Sequence, residues 1–263
     1  NAYCRHVIRF TLAGYHESLL SAVYPGDRHG FEYFQRACQE LLRQWPWSRA
    51  QRSHIIIRSD AEQGTDANVS YLLDWDFQVL MKGYSGRRTL AWVQRTPETL
   101  WQQDHDHADR WAAPTPERLR FGHPLDSYLL RWRVPKDKFL YATFLMTLPY
   151  PVFQLWKMYD GRGATEVEIR SDKSGLELCH RRKSSLNAQE GWLVLTDIAH
   201  NLLAWLCPWM LAGSSFETFG PKRLVQDLLT IPGSITFEEG RLRKVGLLET
   251  HPYADEMRFC LHK

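Results

Sequence analysis

A strand–helix–strand pattern between residues 54 and 81 constrains the fold of this chain most. Residues 54–57 form a short, fully apolar run (HIII) typical of a strand covered on both faces, and residues 77–81 form another. Between them, apolar residues recur at helical spacing after the capping candidates Thr65 and Asp66. The pattern predicts a βαβ unit, and therefore an α/β fold with at least one parallel strand pair. Ligands bind beyond the carboxyl ends of such strands, where Asp60 follows the first one.

Segments on either side of this unit extend the prediction. Further strands are predicted over residues 3–10, 17–24 and 139–148, helices over 31–45, 151–159, 193–206 and 222–229, and a hairpin turn at 239–240. The stretch from Gly83 to about Lys138 is rich in glycine and proline and carries alternating runs at 89–94 and 127–134, which predicts a β-rich insertion. The expected organisation is a core of residues 1–85 and 139–215, an insertion of residues 86–138, and a C-terminal helix-and-hairpin extension of residues 216–263.

Composition narrows the class of protein. The 263 residues carry a net charge of only +3, which permits a nucleic-acid partner without demanding one. The five cysteines are odd in number and form no CxxC pair, which argues against a disulfide framework or a zinc ribbon and favours the reducing cytoplasm. The most apolar run, 192–211, is interrupted by Asp197 and His200, so it predicts a buried helix and no membrane partner.

A charged stretch over residues 159–173 has the most distinctive spacing in the sequence. Tyr159, Arg162, Glu166 and Lys173 follow one another at intervals of 3, 4 and 7. On one continuous helix they would lie within roughly 60° of one another. The glycines at 161 and 163 predict a kink or a new helix start instead, because each costs roughly 1 kcal/mol inside a helix. By itself the stretch fits a solvated helix face as well as a phosphate-binding one.

Two carboxylates are the candidate metal ligands. Asp60 follows a strand, and Glu166 lies on a late helix that could pack beside it. Oxygen ligands without cysteine or histidine favour Mg²⁺ or Mn²⁺, and Tyr159, Arg162 and Lys173 are groups that could hold a phosphate backbone beside such ions. Each residue alone has a plainer interpretation, since a strand-end Asp is usually a turn or cap residue and a helical Glu usually joins a surface ion pair.

Two other clusters are weaker candidates. Residues 104–109 alternate aspartate and histidine in a polar loop, but adjacent residues rarely converge on one ion. Cys179 and His180 could suggest a nucleophile and its base, but neighbours in sequence need not face each other. We therefore predict no site at either place.

The spacing Tyr159, Arg162, Glu166, Lys173 resembles the Y-R-E-K signature of bacterial insertion-sequence DDE transposases. The segment 58–66 (RSDAEQGTD) looks like the surroundings of that family's second catalytic aspartate, here Asp60. Residues 82–84 (KGY) and 199–202 (AHNL) also look like family sequence. The similarity covers most of the chain in the expected order.

The resemblance implies a ribonuclease-H-like core, a mixed sheet flanked by helices and interrupted by the β-rich insertion. It implies metal-dependent strand cleavage at transposon ends, followed by attack of the freed 3′-hydroxyl on target DNA. Asp60 and Glu166 would be the catalytic, metal-binding residues, with Mg²⁺ or Mn²⁺ as cofactor. The expected partners are transposon-end and target DNA, with a homodimer on paired ends. The implied DNA-binding residues are Tyr159, Arg162, Lys173 and Lys82.

The resemblance also implies a role for an aromatic residue of the insertion. In family members that form hairpin ends, such a residue can receive a flipped base. The candidates here are Trp92, Trp101, Trp111 and Trp132.

One part of the family pattern is not matched. The family's first aspartate belongs on a strand upstream of the pair predicted at 3–10 and 17–24, whereas Asp27, the first aspartate here, lies in a turn before a helix. We therefore expect the first core strand and the first metal ligand to be absent from this chain.

Two alternatives stay open: a non-catalytic DNA-binding or regulatory remnant of a transposase, and an unrelated α/β protein with a chance match. The coding sequence upstream of Asn1 would separate the enzyme from the remnant.

We predict that the purified chain alone cleaves DNA poorly or not at all, because a two-metal site without its shared carboxylate holds metal weakly. A Mg²⁺-dependent strand-cleavage assay measures this. Robust cleavage that Asp60→Ala abolishes would contradict the prediction.

Overall fold

The computed structural model describes residues 5–178 and 185–262, which fold into two compact units. Of the described residues, 5–8 and 24–163 form the first unit, and 9–23, 164–178 and 185–262 form the second. The first contains a six-stranded mixed sheet, and the second is mainly helical.

The strands and helices follow one another in a mixed order. The strands are β1 (Arg5–Leu12), β2 (Glu17–Pro25), β3 (Ile56–Ser59), β4 (Gln78–Lys82), β5 (Gln102–Gln103), β6 (Arg110–Pro114), β7 (Asp126–Val134), β8 (Lys138–Met146), β9 (Gly233–Glu238) and β10 (Arg241–Leu247). The helices are α1 (Gly30–Gln44), α2 (Arg49–Arg52), α3 (Asp66–Asp74), α4 (Gly86–Arg95), α5 (Val152–Asp160), α6 (Gly163–Gly175), α7 (Leu186–Leu206), α8 (Pro221–Arg223) and α9 (Ala254–Leu261).

The predicted βαβ unit is confirmed. The sheet has the order β3-β4-β8-β7-β6-β5, with β3 parallel to β4 and the other neighbours antiparallel. Thr65 caps α3, the helix between the parallel strands, by accepting a hydrogen bond from the Asn68 N–H at 3.2 Å. The prediction of a fully covered strand at 54–57 is wrong. β3 starts two residues later and is half-buried, because it lies at one end of the strand order with β4 as its neighbour.

Helices cover both faces of this sheet. α5 packs on one face, where Leu155, Trp156 and Tyr159 join the buried side chains of Leu80 and Phe144. α4 packs on the other face, where the Thr89 hydroxyl lies 2.7 Å from that of Thr143. Thr143 and Phe144 are adjacent on β8 and therefore point to opposite faces.

A helix replaces one of the predicted alternating runs. Residues 89–94 lie in α4, which Ser85 caps by accepting a hydrogen bond from the Arg88 N–H at 3.2 Å. The alternation was misleading because the two buried residues of this helix, Thr89 and Trp92, are one helical turn apart. The other run, 127–134, is confirmed as β7, which pairs with β8 from Asp126 to Val134. The division into core, insertion and extension stays a prediction.

In the second unit, a buried ionic network joins β1, α6 and α7. Arg9 donates from Nη1 to Asp172 Oδ2, and from Nη2 to Asp197 Oδ1 at 2.8 Å. Its Nε donates to Ser21 Oγ at 2.9 Å, and that hydroxyl donates to Asp197 Oδ1 at 2.9 Å. The side chains of Arg9 and Asp172 are 1% and 0% exposed, so their charges are compensated within the network.

His200 of α7 completes this network. Its Nδ1 lies 3.0 Å from Asp172 Oδ1, and its Nε2 lies 2.7 Å from the His16 carbonyl oxygen. Burial lowers the pKa of His200, but the Asp172 carboxylate and the His16 carbonyl favour the imidazolium more strongly and raise the pKa overall. Next to it, Asn201 accepts from the Ser18 N–H at 2.7 Å and donates to the Ser18 carbonyl at 2.9 Å, which ties α7 to β2.

α7 is confirmed as a helix, but the prediction that it is buried holds for one face only. Leu193, His200 and Leu203 are buried, whereas Leu195, for example, is 60% exposed. None of the helices in the described part of the chain combines the length and apolar character needed to cross a bilayer.

We predict that the second unit loses stability as the pH rises. A His whose pKa is raised in the folded state contributes stability below its ordinary pKa of 6.5, and this contribution disappears as the pH passes through the folded-state value. Denaturant unfolding followed by circular dichroism between pH 5 and 9 measures this. His200→Gln should flatten the dependence, and a wild-type free energy of unfolding that rises across this range would contradict it.

We also predict that Asp172→Asn destabilises the chain by about 3 kcal/mol, because it leaves the buried Arg9 partly uncompensated. Glu40→Gln is the matched control, since its ion pair with Arg36 is open to solvent, with side chains 32% and 68% exposed, and contributes only about 0.5 kcal/mol. Equal effects of the two substitutions on the same unfolding curves would refute the assignment.

Candidate functional site

The parallel strand pair places Asp60 and Lys82 side by side. Ser59 of β3 is in register with Met81 of β4. The residue after Ser59 is Asp60, directly beyond the end of β3, and the residue after Met81 is Lys82, the last residue of β4. Residues in register on neighbouring strands point to the same face of the sheet. Lys82 pairs with Phe144 of β8, so this face is the one that α5 covers.

The loop after β3 is held close to the end of β4. Asp60 Oδ1 accepts a hydrogen bond from the Glu62 N–H at 3.1 Å, which is the turn role expected of a strand-end aspartate. The Gly64 carbonyl accepts from the Tyr84 N–H at 2.8 Å. A Cβ at Gly64 would lie 1.8 Å from the Lys82 carbonyl oxygen, so only glycine allows this approach.

Aromatic rings surround the Lys82 ammonium. Its Nζ lies 4.7 Å from the centre of the Trp132 ring and 5.1 Å from that of the Tyr159 ring. The Arg162 guanidinium lies 5.2 Å from the Tyr159 ring centre, and Phe144 meets Tyr159 edge to face at 5.3 Å. Such contacts stabilise a cation by about 0.5–2 kcal/mol each. Tyr159 is only 2% exposed, so in this structure it acts by holding two cations rather than by facing solvent.

Further basic residues gather around this group. The Arg110 guanidinium lies 5.0 Å from the Trp156 ring centre and donates to Asp160 Oδ2 at 2.6 Å. Arg58 donates to the Met158 carbonyl at 2.5 Å, and burial and the nearby Arg162 both lower its pKa. We call Arg58, Lys82, Arg110 and Arg162 the basic cluster.

The environment of Lys82 disfavours its charged form. Burial lowers the pKa of Lys82 first, and the charges of Arg162 and Arg110 lower it further, while Asp160 and Asp60 act in the opposite direction. Four basic side chains therefore lie close together beside Asp60 and Asp160. Such an arrangement favours a polyanionic ligand.

The residues of the charged stretch 159–173 do not lie on one continuous helix. α5 ends at Asp160, Gly161 caps it, and α6 begins at Gly163, as the two glycines predicted. Tyr159 and Arg162 are thus in the first unit, brought together with Lys82 and Asp60.

Glu166 and Lys173 are in the second unit, on α6. Glu166 is exposed in the first turn of the helix, and Lys173 is exposed in the last. Their spacing of seven places them on the same side of α6.

The four candidate tryptophans have different surroundings. Trp92 is 4% exposed and packs in α4, while Trp101 and Trp111 lie 4.5 and 4.9 Å from the Arg131 guanidinium. Arg131 and Trp111 pair across β7 and β6 on the face opposite to Trp132. Trp132 contacts Lys82 and is therefore the one that belongs to the basic cluster.

The weaker candidates gain no support. Within residues 5–178 and 185–262, no three histidine, cysteine, aspartate or glutamate side chains converge as metal ligands, and this covers the 104–109 loop. Asp104 is buried there and accepts a hydrogen bond from the Asp106 N–H at 3.0 Å, so it shapes its own loop. Cys179 and His180 lie outside the described residues.

Arg110, Trp156 and Asp160 are members of the site that sequence reasoning missed. Arg110 and Trp132 are in register on β6 and β7, so alternation along these strands could have placed them on one face once the pairing was known. Trp156 lies three residues before Tyr159 on α5, a spacing that puts both on one helix face. The signal was present, but it depended on knowing which strands pair.

We predict opposite shifts of the Lys82 pKa in two variants. Asp60→Asn removes a negative charge and should lower it, whereas Arg162→Gln removes a positive charge and should raise it. The ¹³Cε chemical shift of Lys82 followed over pH measures both. Shifts of the same sign in the two variants would show that the side chains do not surround Lys82 as described.

A comparison with protein-family models gives a match over most of the chain. Residues 14–263 match the family model described as transposase DDE domain, group 1. A search of curated proteins finds no match.

Proposed function

Because the chain belongs to the family of transposase DDE domains, group 1, we propose that it is the catalytic domain of a DNA transposase. In this proposal the transposase cuts DNA strands at transposon ends and joins them to target DNA, and this chain supplies part of the catalytic site. Asp60 and Glu166 are its second and third catalytic carboxylates, and the core that carries them is ribonuclease-H-like.

One observation carries this proposal within the first unit: the basic cluster stands beside Asp60 at the carboxyl ends of two parallel strands. Strand cleavage needs a carboxylate that can bind a cation and basic groups that hold the phosphates on either side of the scissile bond. Lys82 and Arg162, fixed by the Tyr159 ring, would hold the backbone phosphates. Lys173 on α6 would add a further backbone contact.

The donor chemistry fits a hard divalent cation. Asp60 and Glu166 offer carboxylate oxygens, which Mg²⁺ and Mn²⁺ prefer. When bound, such ions stabilise the charges on the attacking and leaving oxygens in phosphoryl transfer. Asp60 would bind the ion from a loop whose position is fixed by the contact of Gly64 with β4.

Trp132 is the aromatic side chain that we propose for stacking with a base near the cut. The Trp132 and Tyr159 rings both contact the Lys82 ammonium, so a base stacked on Trp132 would lie next to the phosphate-binding groups. Stacking of a base on such a ring contributes about 1–3 kcal/mol.

A non-catalytic DNA-binding protein is the second candidate function. The observation that favours it is the basic cluster itself, which would bind a phosphate backbone whether or not Asp60 holds a metal. The two functions differ in what Asp60 contributes, and this difference can be measured without an activity assay.

We predict that Lys82→Met and Arg162→Gln weaken DNA binding and each lower the salt dependence of the binding constant by about one ion. Fluorescence anisotropy with a duplex at several salt concentrations measures this. Arg133→Gln is the matched control, because it removes an exposed arginine on the opposite face of the same sheet. Equal loss in the control would contradict the assignment of the basic cluster to DNA.

We further predict that Asp60→Asn weakens Mn²⁺ binding about tenfold or more, since even outer partners of a metal site cost 10–100-fold when removed. Electron paramagnetic resonance of free Mn²⁺ measures it, and Asp126→Asn, an exposed aspartate at the start of β7, is the control. Unchanged Mn²⁺ binding together with intact DNA binding would favour the non-catalytic function.

A further inference from the structure

A cavity of about 750 Å³ lies within the second unit. Its walls come from the turn between β1 and β2, from α6, from the end of α7 and from the segment that follows α7. Its apolar lining includes Val167, Leu203, Ala204, Phe219 and Leu224. Sites for small organic ligands have volumes of about 300–1,000 Å³ and are mostly apolar, with a few polar groups that orient the ligand. The cavity has the size and the lining of such a site, and no residue of the basic cluster lines it.

The ionisable groups of the lining are mainly acidic. Glu17, Glu168 and Glu217 line the cavity, and none of the described lining residues is a lysine or an arginine. Trp205 Nε1 donates to Glu17 Oε1 at 2.6 Å, and His16 Nδ1 lies 2.5 Å from Glu168 Oε1. A backbone N–H donates to Glu217 Oε2 at 2.9 Å. Within the described part of the chain, none of these three carboxylates therefore has a lysine or arginine partner.

Glu168 is largely withdrawn from water and only partly compensated. Its side chain is 16% exposed, and its second oxygen, Oε2, is buried without a donor among the described residues. Its partner His16 carries a charge only when protonated. Burying a carboxylate is costly unless a cation or hydrogen-bond donors replace the lost hydration. A cation bound in the cavity would supply this compensation.

Other lining residues favour a cation over an anion. The pKa of Cys207 is raised first by burial and then by the charge of Glu217, so both effects disfavour a negative charge at this wall of the cavity. Tyr15 and Trp205 add two aromatic side chains to the lining. Aromatic rings attract a cation through their electron-rich faces.

Hydrogen bonds hold the β1–β2 turn in place as one wall of the cavity. His16 has a left-handed backbone conformation (φ 59°), which few residues other than glycine adopt. Its carbonyl accepts from His200 Nε2 at 2.7 Å, while its ring contacts Glu168. The bond between Trp205 and Glu17 ties the same turn to α7. A ligand would thus meet a formed cavity and lose little affinity to ordering of the protein.

We propose that this cavity binds a small organic cation that joins an ammonium group to an apolar body. The ammonium lies beside Glu168, and the apolar body contacts Leu203, Phe219 and Leu224. The ligand has the opposite charge to the DNA proposed for the basic cluster, so the cavity is a second binding site that works independently of it.

A methyl NMR titration of the whole chain with three probes tests the proposal. Octylammonium, octan-1-ol and octanoate share one tail and have positive, neutral and negative head groups. We expect the methyl signals of Leu203 and Leu224 to shift with octylammonium, which should bind at least about tenfold more tightly than the other two probes. The methyl signals of Leu80 and Leu130, in the core of the first unit, should stay in place.

Two substitutions separate the effect of charge from that of space. Glu168→Gln keeps the shape and removes the charge, so it should weaken octylammonium binding about tenfold and leave octan-1-ol binding unchanged. Ala204→Phe places a ring in the cavity and should weaken the binding of every probe that binds there. Glu190→Gln is the matched control, because Glu190 is an exposed glutamate of α7 outside the lining, and it should leave binding unchanged.

Three results would overturn the proposal. The first is octanoate binding as tight as that of octylammonium. The second is octylammonium binding that leaves the Leu203 and Leu224 methyl signals unshifted, and the third is binding that Glu168→Gln does not weaken. Circular dichroism shows whether each variant keeps the wild-type melting curve, and the probe series on the unaltered chain decides the sign of the preferred charge without any variant. Salt-dependent DNA binding by the basic cluster is measured separately, so either proposal can fail without the other.

Discussion

The parallel register of β3 and β4 is the constraint on which the candidate site depends. It brings residues that are more than twenty positions apart, Asp60 and Lys82, to adjacent places at one edge of the sheet. Gly64 then allows the loop after β3 to reach the Lys82 carbonyl. α5 can place Tyr159 over Lys82 only because β4 and β8 bring Phe144 beneath that ring. A register shift of one residue would send Lys82 to the opposite face, away from every group that it contacts.

The basic cluster is costly for the protein by itself. Half-buried cations lose hydration and repel one another, which is why the pKa values of Lys82 and Arg58 are lowered. Aromatic rings compensate part of this cost, and Asp160 compensates Arg110. A bound polyanion would offset the mutual repulsion of these cations further. An arrangement of this kind suits a protein that binds a polyanion better than one that needs only a stable fold.

What could be predicted from the sequence is what depends on local pattern. The βαβ unit, the strand at β8 and the helix break at Gly161 all follow from spacing or from a short motif. What could not be predicted depends on distant pairing. Arg110 reaches Asp160 across 50 positions, and Arg9 reaches Asp172 across 163. The Thr89–Gln94 run shows a different limit of prediction from sequence. Its alternation of apolar and polar residues is typical of a strand, but its two buried residues, three positions apart, lie on one face of a helix.

The two faces of α7 are linked by the rigidity of the buried one. His200 must donate to both Asp172 and the His16 carbonyl, and Asn201 must match both polar groups of Ser18, so the helix has one rotation that satisfies all of them. A purely apolar face could rotate by tens of degrees at little cost, whereas buried polar groups with fixed partners cannot. The opposite side of α7, which carries Leu195, Ile198 and Leu202, is therefore held facing outward.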